Sequence, residues 1–299
     1  MRGCAIPVAW KVVPSHTKGS WRPYWESLLG CLKGRIPASW QVLVLADRGL
    51  YARWLYTAIV DCGWHPFLRI NQAVKAREPG EASFDWLSRW VSKPGARWKG
   101  PVECFAQKRS RLCCTLLAQW EPGYEHPWVV ITDLSAAEAQ IAWYSLRAWV
   151  EAGFKDLKRG GWGWQHSKMR DASRVERFWL AMATALVWTV SVGSQADSQL
   201  AGGDLERLPA GHIARKRVKR QPGQLPARRL SCPQRGRLVL LAALVRAEDL
   251  SLGAIVAEPW PKWLMPCKRS TNPTKMQQKA KQQERKRRYK AGRRRKQAA

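Results

Sequence analysis

Val42-Leu43-Val44-Leu45-Ala46-Asp47-Arg48-Gly49 is the stretch from which the rest of the chain is best read. Five apolar residues in a row, without alternation, fit a strand covered on both faces of a sheet. The run stops abruptly at the Asp47-Arg48-Gly49 turn. Just beyond it, residues 51–62 carry apolar side chains at Leu55, Ile59 and Val60, which is helical spacing. Residues 66–70 (PFLRI) are a third element, a short strand. Strand, helix and strand in this order predict a parallel pair joined by a right-handed crossover. Upstream, 25–32 suits a short amphipathic helix and 5–13 (AIPVAWKVV) a strand, so the N-terminal part reads as α/β.

Composition narrows the function. The 299 residues hold 52 Lys plus Arg against 22 Asp plus Glu, a formal charge of +30, with 45% apolar residues. Such a chain can build a core, and its charge calls for a polyanionic partner, DNA or RNA first of all. A ribosome-associated protein and a membrane-surface binder are the alternatives. No uninterrupted apolar run approaches the roughly 20 residues of a spanning helix, and the first residues lack the apolar core of a signal peptide. Eight cysteines form no Cys-x-x-Cys pair and five histidines are scattered, so neither zinc nor a disulfide framework is expected, and the reading is cytoplasmic.

Farther along, residues 71–127 alternate short apolar and Gly/Pro-broken polar segments and read as an insertion with β-structure. Residues 128–132 (WVVIT) resume the sheet and end at Asp133, expected to cap the next helix. One long helix is predicted over 135–158, a second, buried one over 173–192, and a third over 237–246. The predicted division is 1–70 and 128–195 for a catalytic domain, 71–127 for the insertion, 196–265 for a basic linker and helical region, and 266–299 for a disordered tail. From Lys268 onward 14 residues are Lys or Arg and the single acid is Glu284. A nonspecific DNA clamp and a solubilising tail are both open for that segment.

On the predicted 135–158 helix, Tyr144, Arg147, Glu151, Lys155 and Lys158 fall within a stripe roughly 80° wide. Leu146, Val150 and Leu157 lie nearly opposite, facing the core. Ordinary i,i+4 pairing on a solvated face would explain Arg147, Glu151 and Lys155 by themselves.

The string does not stand by itself. Tyr144-x-x-Arg147-x-x-x-Glu151-(6)-Lys158, embedded in Trp149-Val150-Glu151-x-x-Phe154-Lys155-x-Leu157-Lys158-x-Gly160-Gly161, resembles the Tyr-Arg-Glu-Lys signature of a large branch of bacterial insertion-sequence transposases of the DDE class. Leu45-Ala46-Asp47-Arg48-Gly49 is similar to the segment holding that family's second catalytic aspartate. The resemblance covers about residues 1–195. It implies an RNase H-like mixed sheet flanked by helices, with a β-rich insertion. The implied activity is metal-dependent DNA cleavage and strand transfer, with two Mg²⁺ (or Mn²⁺) ions in a complete site and double-stranded DNA (transposon ends and target) as partner, in a homodimer.

By the same resemblance Asp47 and Glu151 are the catalytic metal-binding carboxylates, hard ligands for hard cations. Tyr144, Arg147 and Lys158 would hold DNA phosphates, Arg147 bidentately and Lys158 as a point charge. Taken alone, Asp47 also reads as a helix cap. Lys155 receives no role, His166 reads as structural, and Trp98 or Trp120 of the insertion is a candidate for stacking on a flipped base. Three carboxylates are needed, yet Glu26 is the only acid before Asp47. The chain is therefore expected to lack the family's first strand with its aspartate, to begin at the second strand (5–13), to be marginally stable and to be inactive alone. The runner-up is a noncatalytic basic DNA-binding remnant or regulator, and a weaker third reading is an RNA- or ribosome-associated protein.

Overall fold

The computed structural model describes residues 3–14, 17, 19–158, 161–199, 230–257 and 260–262. Its centre is one mixed sheet of β1 (Leu43–Ala46), β2 (His65–Arg69), β3 (Lys75–Arg77), β4 (Asp85–Trp86), β5 (Arg97–Cys104), β6 (Leu112–Gln119) and β7 (Trp128–Thr132). The strand order is β1-β2-β7-β6-β5-β3-β4, with β1 and β2 parallel and the other pairings antiparallel. Helices α1 (Arg22–Leu32) and α2 (Arg53–Val60) bring Leu29, Leu55, Tyr56 and Ile59 onto one face, against Leu68, Ile70, Val129 and Ile131. On the other face Phe67, Leu117 and Val130 meet Ala142 and Tyr144. All five residues of β7 are buried, which is why its sequence runs apolar without alternation. Each fully buried Leu, Ile or Phe contributes about 1.5–3 kcal/mol relative to exposure. The fold is mixed α/β of the RNase H-like kind, and β3 to β6, from the expected insertion, extend the same sheet.

A third core lies outside the sheet. It joins α4 (Ala148–Leu157), α5 (Ala172–Ser198) and α6 (Cys232–Val245) through Leu157, Val175, Trp179, Leu186, Val190 and Cys232. Helices α5 and α6 touch backbone to backbone, since a Cβ on Gly193 would overlap the Cys232 carbonyl oxygen and one on Gly236 the Thr189 oxygen. Helix α5 is 27 residues long with a mean hydropathy of 1.2 over its most apolar window, enough to span a membrane by length alone. Half of that window is buried inside the protein, as suits a core helix.

Four expectations are corrected. Residues 5–13 form no strand. They cross α4 as an extended segment, where Ala5 N–H donates to the Trp149 carbonyl (3.1 Å) and a Cβ on Gly153 would stand 2.6 Å from Ala5 O. Trp10 then donates to the Glu176 carbonyl at 3.3 Å. Ile6, Trp10 and Val12 of this segment serve the third core rather than the sheet, and Val8 points to solvent.

The single helix over 135–158 is likewise broken. Ser135 and Glu138 close a reciprocal cap, Ile141–Arg147 is a 3₁₀ segment, and only Ala148–Leu157 is α-helical. Three residues per turn instead of 3.6 shift the phase, so Tyr144 turns into the core at 3% exposure while Val150 turns outward at 45%.

Asp133 is no cap, because Ser135 fills that role and Asp133 pairs with His65 Nδ1 at 3.0 Å. Finally, α5 runs well past the expected end at 192, and Leu180 (62% exposed) on its flank is not buried. The tail expected over 266–299 and most of the basic linker lie outside the described residues.

Candidate functional site

The C-terminal end of β1 delivers Asp47 to the sheet's edge. Its Oδ1 accepts the Gly49 N–H at 3.0 Å and its carbonyl the Leu50 N–H at 3.1 Å, so a tight turn fixes the carboxylate. From the opposite side of the sequence, the junction of the 3₁₀ segment with α4 presents Arg147. Its Nη2 donates to Asp47 Oδ2 at 2.7 Å and its Nη1 to Glu151 Oε1 at 3.0 Å. Glu151 stands one α-turn further on, as an i,i+4 partner. One guanidinium thus joins two carboxylates that are 104 positions apart (151 − 47). All three are accessible, with side-chain exposures of 50% for Asp47, 30% for Arg147 and 58% for Glu151.

Beneath them, the buried Tyr144 hydroxyl donates to the Ala46 carbonyl at 3.1 Å. Burial pushes its pKa up to about 12, in part against the pull of Arg147 and Arg69, while Asp47 adds to the rise. Burial works against the charge of Arg147, and Tyr144, Glu151 and Asp47 outweigh it, raising its pKa.

The structure therefore brings Asp47, Tyr144, Arg147 and Glu151 together. Lys158 stays apart, past the end of α4, with its ammonium over the rings of Phe154 (5.5 Å) and Trp164 (5.7 Å). Trp98 packs on Trp90 with ring centroids 4.7 Å apart, and Trp120 Nε1 donates to the Tyr124 carbonyl at 3.1 Å.

Sequence reasoning missed Arg69. The parallel register pairs Ala46 with Leu68, which sets Arg69 beside Asp47. Its guanidinium donates to the Pro127 carbonyl at 3.2 Å and stands 5.9 Å from the Trp128 ring. Burial lowers its pKa, with Arg48 and Arg147 adding to the effect against Tyr144. The available signal was a lone arginine at the end of an apolar strand predicted to run parallel to β1.

The donor chemistry at the site is that of a hard divalent cation, since both groups are carboxylates. Their number falls short: among the described residues no three His, Cys, Asp or Glu side chains converge. Arg147 already supplies positive charge to both carboxylates. The described residues therefore do not by themselves fit a complete metal centre.

An RNase H-like sheet with an aspartate at a strand end and a glutamate on a following helix defines a class of phosphodiester-processing proteins. The sequence profile of the transposase DDE domain matches residues 18–188, more than half of the chain, and the chain belongs to that family. No curated protein and no solved structure matches it. Enzymes of this family act on DNA, cutting and rejoining phosphodiesters with the aid of divalent metal ions.

Proposed function

We propose that the chain is the catalytic part of an insertion-sequence DNA transposase, with Asp47 and Glu151 as its carboxylates. The observation that carries this reading is the bridge of Arg147 between them, which joins two distant segments at one end of the sheet. In this reading Arg147 holds the carboxylates in register in the free protein. When DNA arrives, its planar fork turns to a backbone phosphate, for which it has two parallel donors. Tyr144 positions Asp47 from below through Ala46, and Lys158 takes a phosphate farther along α4. Double-stranded DNA is the substrate, two copies of the chain act on paired ends, and the protein works in the cytoplasm.

The complete family site would hold Mg²⁺ or Mn²⁺, two ions in our reading. The described donors fall one carboxylate short of what two such ions need. The same shortfall supports the finer reading that the chain cleaves no DNA until a third carboxylate is supplied. Division into catalytic parts (1–70, 128–195), an insertion (71–127) and basic C-terminal regions belongs to this reading too.

A second reading, a noncatalytic DNA-binding remnant, draws on the saturation of both carboxylates by Arg147. Incubation with supercoiled DNA and Mn²⁺, of the chain alone and of the chain extended by a segment bearing the third carboxylate, separates the two. Nicking by the chain alone that disappears in Glu151→Gln supports the transposase and overturns inactivity of the chain alone. Nicking only by the extended chain, lost in Glu151→Gln, supports the transposase with that inactivity, and duplex binding without nicking by either supports the remnant. Absence of duplex binding overturns both.

A further inference from the structure

Beside the carboxylates lies a run of cations that the site does not use. Arg48 follows Asp47 directly, and Arg53 opens α2. The turn between β5 and β6 (Phe105-Ala106-Gln107-Lys108-Arg109-Ser110-Arg111) contributes Lys108 and Arg109. These four side chains are exposed. No Asp or Glu occurs between Arg48 and Val60, or between Cys104 and Trp120. Of the four, only Arg53 makes a side-chain hydrogen bond among the described residues, and none makes an ion pair.

The turn is not a loose loop. Arg53 Nη1 donates to the Arg109 carbonyl at 2.7 Å, fastening the tip of the turn to the start of α2. The Phe105 ring stacks at 5.9 Å, with an interplanar angle of 12°, on Tyr51, a residue only four positions after Asp47. To do so, Phe105 adopts a φ of 69°, a region that costs a non-glycine residue of order 1 kcal/mol. Arg111 is taken up locally, with its guanidinium 5.2 Å from the Phe84 ring. A strained, stacked and hydrogen-bonded turn thus fastens Lys108 and Arg109 to the loop and the helix start that follow Arg48. Mutual repulsion makes such an arrangement unfavourable in the free protein and favourable once phosphates lie across it.

We infer that Arg48, Arg53, Lys108 and Arg109 form a rail for the sugar–phosphate backbone of duplex DNA flanking the cut strand. The inference rests on the transposase reading and adds where the flank lies: over the β5–β6 turn and the start of α2. The contacts are to phosphates, so they position the duplex and carry no base specificity. The fastening of the turn by Arg53 and Tyr51 keeps this wall at a constant offset from Asp47.

The test is the salt dependence of duplex binding by the full chain, read by fluorescence anisotropy with a labelled oligonucleotide duplex. The Lys108→Gln/Arg109→Gln double variant should lower the magnitude of the slope of log K against log salt by about 1.8, roughly 0.9 for each lost phosphate contact. As a control, Lys33→Gln/Arg35→Gln removes two charges near the far end of α2, where Lys33 Nζ donates to the Asp61 carbonyl. Its slope should match that of the wild type. Circular dichroism melts of both variants establish that each is folded, and Arg48→Gln, an exposed change, gives a third slope independent of the turn. Duplex binding with the wild-type slope in both the double variant and Arg48→Gln overturns the rail alone, and so does an equal fall in the control. A wild-type chain that binds no duplex overturns the transposase reading itself.

Discussion

The Tyr144 hydroxyl donates to the carbonyl of Ala46, the residue immediately before Asp47. A phenol from the 3₁₀ segment thereby fixes the last residue of β1, and with it the direction in which Asp47 leaves the sheet. Tyr144→Phe keeps the ring among Trp128 and Phe67 but leaves the Ala46 carbonyl without this donor. The expected cost is about 1–2 kcal/mol of unfolding free energy, measured by urea denaturation. No change would mean that Ala46 finds another partner and that the tether is idle.

The same phenol gives a pH dependence. Its folded pKa is pushed up to about 12 from the ordinary 10.0. A raised acid keeps its proton longer in the folded than in the unfolded chain. Its contribution to stability is thus complete below pH 10 and lost as the pH rises toward 12. Urea midpoints should fall over that alkaline window, and fall less in Tyr144→Phe. An identical decline in both proteins would assign it to other groups, such as the buried Tyr56, whose pKa burial also raises.

Arg147→Gln separates function from stability. Its two ion pairs are well exposed to water, so their removal should change the unfolding free energy by less than about 1 kcal/mol. If Arg147 turns to a phosphate, the salt slope of duplex binding should nonetheless fall by roughly 0.9. A large loss of stability with an unaltered slope would make the residue a structural clamp only.

Asp133 offers the complementary case. Its carboxylate is engaged by His65, the first residue of β2, rather than by the Asp47 site. Asp133→Asn should leave duplex binding unaltered and stability within about 1 kcal/mol. Loss of DNA binding in a folded Asp133→Asn variant would contradict its separation from the site.

Gly236→Ala tests the helix pair. A methyl group there overlaps the Thr189 carbonyl, which α5 cannot withdraw without unwinding. The expected loss is about 3 kcal/mol or more, seen as a lower thermal midpoint by circular dichroism. An unperturbed midpoint would show that α5 and α6 do not touch backbone to backbone.

Much of this architecture was legible in the residues. The apolar run ending at Asp47, the helix after it and the short strand beyond form the parallel β1–β2 pair, because burial on both faces leaves an unmistakable pattern. The Arg147–Glu151 contact followed from helical spacing. Tyr144 defeated the same logic, since a 3₁₀ segment and an α-helix share apolar spacing over so few residues and differ only in accumulated phase. The segment 5–13 failed for another reason. An apolar, β-branched stretch reports burial, but whether its backbone pairs with a strand or lies across Gly153 is decided by distant partners. Asp133 was misassigned because a strand-end aspartate followed by a helix fits a cap, and the competing His65 lies 68 positions away (133 − 65). Arg69 enters the site through the parallel register of β1 and β2, which the order of strand, helix and strand already implied.

The order of strands in space also sets an order in time. Strands β5 and β6 pair residue by residue across a seven-residue turn, from Cys104 with Leu112 outward, so this hairpin closes early. The side of β2 turned away from β1 must instead wait for β7, which comes after the whole hairpin has been made, and the closure entropy of that long excursion slows the step. Arg147 and Glu151 follow β7 in the chain. The carboxylates of the site are therefore expected to meet after the β5–β6 hairpin has formed. In pulse-labelled hydrogen exchange, the amides of β5 and β6 should become protected before that of Ile70, which donates to the Val129 carbonyl of β7. A chain emerging from the ribosome would carry the basic turn, ready for polyanions, for some time before it carries a site.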